Sequence, residues 1–122
     1  MNGFKRHNFK KLKIWQMSME LSKLTLDLTD TFPVYEKYGL KSQMDRCSIS
    51  IPSNIAEESS RTNKSFSHFL DISLGSSFEL QTQILLANHR KYLSDERCQI
   101  FEVMIEEFQK ATMVFQNMLN KD

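Results

Sequence analysis

The chain has 122 residues, enough for one ordinary domain that buries about two thirds of its unfolded surface around a single core. Its 40% apolar and 25% charged residues are those of a folded globular protein, and 3 Gly with 2 Pro are too few for the turns of a sheet-rich fold. The net charge of +1 excludes a global field that would drive the protein onto nucleic acid, although the charge is unevenly spread.

Residues 1–10 lack periodicity and read as a basic arm, with Phe4 and Phe9 available to tack it down. Lys5, Arg6, Lys10, Lys11 and Lys13 crowd this end with no acid among them, whereas the segment from Asp95 onward is net acidic. A four-helix bundle is predicted over residues 11–122. The first helix runs over about 12–31, with one apolar stripe of Met17, Leu21, Leu24 and Leu28 and a second of Leu12, Trp15, Met19 and Leu26. Two stripes mean burial on more than one side, as in a bundle or an oligomer.

Phe32-Pro33 ends that helix, because the residue before proline is pushed out of the helical region. The second helix is expected over 39–60, with Leu40, Met44, Cys47, Ile51 and Ile55 on its apolar face. Pro52 lies inside it, removing one hydrogen bond and clashing with the Ser48 carbonyl. The register continues across Pro52, so one kinked helix is predicted, with Ser48 and Ser50 available to satisfy the freed backbone groups. Thr62 or Asn63 caps the third helix (64–89), whose apolar surface is Phe66, Phe69, Leu70, Leu74, Leu80, Ile84 and Leu86. Ser94 caps the fourth (95–120), with Asp95 and Glu96 at the positive end of its dipole. Phe101, Met104, Ile105, Phe108, Ala111, Phe115, Met118 and Leu119 form its stripe. Four such helices joined by short links make an all-α, antiparallel, up-down-up-down four-helix bundle.

The second helix also carries Gln43, Arg46, Ser50, Asn54, Glu57 and Arg61 at three- and four-residue steps. An antiparallel neighbour turning at 61–63 pairs positions summing to about 125. Arg46 then faces Glu79, Ser50 faces Gly75, Asn54 faces Asp71 and Glu57 faces His68. Charges match, and Gly75 opposite a serine suits close backbone approach. The expectation is a partly buried polar layer between helices two and three, giving specificity of pairing more than net stability.

Cys47 and Cys98 have no metal-ligand spacing and read as buried free thiols in a reducing compartment. With no leader-like start and no apolar run near 18 residues, the expected location is the cytoplasm, with no membrane association. A di-iron bundle needs Glu-x-x-His pairs; Ser65 precedes His68 and Leu86 precedes His89 at that spacing, so neither qualifies. In a Glu57/His68/Asp71 cluster a hydrogen-bonded histidine is the commoner outcome than a metal site. No phosphate loop, nucleophile elbow or His-Glu-x-x-His is present, so neither an enzyme nor a cofactor is expected.

Gly39-Leu40-Lys41-Ser42-Gln43-Met44-Asp45-Arg46, then Ser50-Ile51-Pro52-Ser53-Asn54-Ile55-Ala56-Glu57 and Arg61, closely resemble the signature of the bacterial four-helix-bundle family of 23S rRNA intervening-sequence proteins, which also carries the name of ribosomal protein. The resemblance extends to Leu12, Trp15-Gln16, Phe32-Pro33, Glu36, Phe69-Leu70, Gly75-Ser76 and Glu79-Leu80, with Glu58 and Cys47 departing from the usual Gly and Ala. It implies up-down bundles assembled as homopentamers, without established enzymatic activity or cofactor. Some relatives are encoded inside rRNA-gene insertions. A related group, the accessory variability proteins of diversity-generating retroelements, binds a reverse transcriptase and nucleic acid. The function expected is thus a non-enzymatic accessory protein that binds nucleic acid as a homo-oligomer, the partner being structured RNA or a nucleic-acid-processing protein. Lys5, Arg6, Lys10, Lys11, Lys13, Arg61 and Lys64 are the expected contacts, because the start of helix one and the 61–64 link share one end of the bundle. The rival is a protein-interaction scaffold without direct nucleic-acid binding.

Overall fold

The computed structural model describes residues 7–121. Four helices, α1 (Lys13–Thr29), α2 (Leu40–Glu58), α3 (Asn63–His89) and α4 (Asp95–Asn120), run up-down-up-down, and no strand occurs among the described residues. Single 3-10 turns at Phe9–Lys11 and Val34–Glu36 precede α1 and α2. Consecutive helices pack closely, and α1 lies more lightly against α4.

Caps explain most boundaries. The Thr62 hydroxyl accepts from the Ser65 amide at 3.3 Å, and Ser94 accepts from the Arg97 amide at 3.1 Å. Glu36 caps α2 from outside, its carboxylate accepting from the Leu40 amide at 3.1 Å. Past α3, Lys91 adopts φ 64°, so that Tyr92 N–H reaches the Ala87 carbonyl and Lys91 N–H that of Asn88, both at 2.9 Å. This is a Schellman ending with lysine where glycine is usual.

The core holds Leu21, Leu28, Met44, Ile51, Ile55, Phe66, Leu70, Leu80, Ile84, Phe101, Ile105 and Phe108, each almost fully buried. Leu86 and Met118, read as core positions from periodicity, are instead 53% and 59% exposed, because the buried arc of each helix is narrower than its apolar content. The innermost face of α1 was not anticipated. Ser18, Ser22, Thr25 and Thr29 are buried along one line, while Trp15, Met17 and Leu24 only border the core. Small hydroxyl residues can sit there because each finds an acceptor: Ser18 donates to the Trp15 carbonyl at 2.7 Å and Thr25 to that of Leu21 at 2.8 Å, while Ser22 and Thr29 reach across to α2.

Pro52 lies inside a continuous α2. The Ser48 carbonyl, which lost its donor to the proline ring, accepts instead from the Ser22 hydroxyl of α1 at 2.6 Å. Neither serine proposed for that task performs it. Ser48 donates to the Asp45 carbonyl and Ser50 to that of Cys47. The compensation comes from the neighbouring helix.

Candidate functional site

The α2/α3 seam is built from small side chains. The Cys47 thiol donates toward the Ser76 carbonyl at 3.1 Å, with the Glu79 carboxylate as an alternative acceptor at 3.4 Å. The Ser50 and Ser76 hydroxyls are 3.0 Å apart, and Ser73 donates to the Ile51 carbonyl at 3.2 Å. These contacts pair positions summing to 123–126. Burial, then the negative charge of Glu79, pushes the Cys47 thiol up to about 12. It stays protonated at neutral pH, and a protonated thiol is a poor nucleophile.

The larger polar residues stand outside this seam. Gln43, Arg46, Glu57 and Glu79 are exposed and Asn54 is half-buried. Arg46 and Glu79 line opposite parts of one groove with Tyr38, Ser42, Gln43, Cys47 and Ser50, yet they form no ion pair; those among the described residues join Lys23 to Glu20, Lys41 to Asp30 and Asp45, and Arg61 to Glu58. The seam is closed by side chains so short that the long charged groups on its rim reach water, where ion pairing gains little. Asp71 does not turn to Asn54: it accepts from Gln116 of α4 at 2.9 Å. His68 lies edge-on to Phe69 at 5.4 Å rather than against Glu57, and no trio of metal-ligating side chains assembles among the described residues. Nor does Gly75 serve close approach, since a Cβ there would meet nothing within 4 Å. Ser73 and Ser76 are the contacts that periodicity missed; the small residues Ser73, Gly75, Ser76 and Ser77 were their available signal.

At the end where α1 begins, the His7 ring reaches Asn63 at 3.0 Å and packs on Phe66 and Phe115. Phe9 stands edge-on to Trp15 at 5.3 Å, so the segment read as an arm is folded onto the bundle from His7 onward. Lys10, Lys11, Lys13 and Lys64 are exposed there without an ion pair; Lys5 and Arg6 lie outside the described residues. Arg61 differs. Its guanidinium is bonded to the buried Glu58 carboxylate and stacks 4.5 Å from the centre of the Phe69 ring. Its charge is largely spoken for.

A second groove, between α1 and α2, is apolar. Phe9, Trp15, Met19, Leu26, Ile49, Pro52 and Ala56 line it, with Lys23 at the edge. The second stripe of helix one therefore faces outward over α2.

An all-α bundle with a small-residue seam on α2 and an open polar groove above it defines the class. The family described as 23S rRNA-intervening sequence protein matches residues 10–113, and the chain belongs to it. Comparison with curated proteins yields no match.

Proposed function

We propose that the protein is a non-enzymatic accessory protein that assembles with itself and binds nucleic acid, structured RNA or a nucleoprotein, through basic surface. The observation that carries this reading is the gathering of Lys10, Lys11, Lys13 and Lys64 at one end of the bundle with no carboxylate paired to them among the described residues. Unpaired cations held close together attract phosphates and release counterions. A ring of subunits repeats the cluster and multiplies its pull through avidity. Membership in a family named for rRNA intervening sequences agrees with it.

The self-association in this reading has support in apolar surface that one bundle leaves uncovered. The Trp15–Ile49 groove is open, and Ile100, Val103, Met113, Val114 and Met118 of α4 are each at least 43% exposed. Faces of this kind usually meet a partner. Five copies is the number carried by the family resemblance. A cytoplasmic location belongs to the same reading, in keeping with two unpaired buried thiols and with no helix among the described residues long and apolar enough to cross a membrane.

The test is RNA binding at low and physiological salt for the intact chain and for one with Lys5, Lys10, Lys11, Lys13 and Arg6 changed to Ala. The intact chain should lose about 0.7–0.9 of a log unit per log of salt for each phosphate neutralised. The variant should bind more weakly with a shallower slope, and equal behaviour would remove the basic end from the mechanism. The alternative, a scaffold that binds only protein, is favoured by the apolar groove and predicts no salt-dependent RNA binding at all.

A further inference from the structure

We infer that the α2/α3 groove is a second nucleic-acid subsite, taking one unstacked nucleotide whose base carries an exocyclic amine. This rests on the nucleic-acid reading above and adds a place and a specificity to it.

Tyr38 lines the groove and is 87% exposed, so its ring is accessible to a ligand there. Lys37 lies over the ring, 5.3 Å from its centroid, which leaves the other face for stacking. Ser42 with Gln43, then Arg46, then Ser50 follow from successive turns of α2, about 5 Å apart along the helix. The Gln43 amide and the Arg46 guanidinium make no hydrogen bond or ion pair among the described residues. Across from them, among the described residues, Glu79 is engaged only by the Cys47 thiol. Opposite charges that share a groove of about 440 Å³ yet stay apart leave room between them for a ligand that needs both. That volume is at the small end of ligand sites and suits a single nucleotide.

The chemistry of the walls sorts the ligand. Stacking on Tyr38 holds any base. The Glu79 carboxylate can only accept, so it favours the exocyclic amine of cytosine, adenine or guanine over uracil, whose single donor, N3–H, lies between two carbonyl oxygens that the carboxylate repels. Gln43 can donate and accept along the same edge, and Arg46 meets a phosphate. Beyond Gln43 a neighbouring cleft continues to His89 and Arg90, extending the path for the backbone. A protein hot spot would need a desolvated apolar pocket for an anchor side chain. This lining is hydroxyls, an amide, a guanidinium and a carboxylate around one open ring.

Fluorescence anisotropy with labelled ten-residue oligocytidylate, oligouridylate and a duplex of the same length tests the assignment. Intact protein should prefer oligocytidylate to both others. Tyr38→Leu should weaken oligocytidylate binding about five- to hundredfold. Arg46→Gln should lower affinity for both single strands and reduce the salt slope by roughly one phosphate, and Glu79→Gln should erase the preference for cytidylate. All three side chains are exposed, and circular dichroism checks that each variant keeps its helices. If Tyr38→Leu and Glu79→Gln bind like the intact chain while the lysine-to-alanine variant fails, the groove assignment is overturned and the basic end stands. Equal binding of duplex and single strand also overturns it. If the intact protein binds none of these oligonucleotides, the groove assignment is overturned, while the basic end is decided separately by the salt dependence of structured-RNA binding.

Discussion

Ser22 and Pro52 show how one residue's defect becomes another's role. The hydroxyl of Ser22 replaces the amide that Pro52 lacks, so Ser22→Ala should leave the buried Ser48 carbonyl without a donor and cost about 1–3 kcal/mol in urea unfolding. In a Pro52→Ala background the helix regains its own amide donor. There the same Ser22→Ala change should cost at least about 1 kcal/mol less. Additive losses in the cycle would mean the two residues are uncoupled. Lys91 gives a second case. An L-residue at φ 64° costs roughly 1–2 kcal/mol, of which glycine's greater unfolded-state entropy offsets roughly 0.5–1. Lys91→Gly should therefore raise stability by about 0.5–1 kcal/mol, and an unchanged melting temperature would contradict it.

At the scale of the element, the start of α2 depends on the link before it. Tyr92 of the α3–α4 turn donates to Glu36 at 2.6 Å while the other carboxylate oxygen accepts from Leu40 N–H. These bonds, Tyr92 first, hold the Glu36 carboxyl below its ordinary value. A depressed carboxyl contributes stability that is present above its unfolded value of about 4.3 and is lost as pH falls through the lower folded value. Carboxyl-carbon NMR should find Glu36 titrating below the ordinary glutamate value, and Tyr92→Phe should bring it back toward that value. Gly39 belongs to the same arrangement. A Cβ there would stand 2.8 Å from the capping Glu36 oxygen, so Gly39→Ala should push the carboxylate aside and raise the Glu36 value as well.

At the scale of the whole molecule, burial and assembly make different demands on the same helices. Cys47 and Cys98 are both buried, and burial is the leading cause that raises each thiol. Native protein should resist iodoacetamide at pH 8 and react at both sites once unfolded; mass spectrometry of timed pulses reads this directly. Val114 is 61% exposed on one bundle, so Val114→Glu should change the stability of an isolated subunit by no more than about 0.5 kcal/mol. If α4 meets a second copy, the same change should lower the mass measured by light scattering coupled to size exclusion. A monomeric mass for the unaltered chain would sink self-association.

Periodicity and punctuation sufficed for the all-α bundle and for the cap at Ser94, and narrowed the cap of the third helix to Thr62 or Asn63, because these depend on local spacing and on short-range chemistry; the family was legible only through the resemblance of the 39–61 motif. The sum rule for α2 and α3 also held to within two positions, since a tight link at 61–63 leaves an antiparallel neighbour little freedom. What faced what across the seam was not legible. The rule matches long charged residues by position, whereas the seam closes on the shortest ones, so Cys47, Ser50, Ser73 and Ser76 meet while Arg46 and Glu79 stay on the rim. Partners from a third helix were equally hidden: Gln116 takes Asp71, and Ser22 repairs the break at Pro52. The buried hydroxyls on α1 carried no signal in one dimension, because their acceptors, in the preceding turn or on α2, matter only once the helices are brought together. Which cations remain unpaired is likewise a property of three dimensions. Glu58 binds Arg61 where the chain turns, and the lysines at 10, 11, 13 and 64 are left without an ion pair among the described residues.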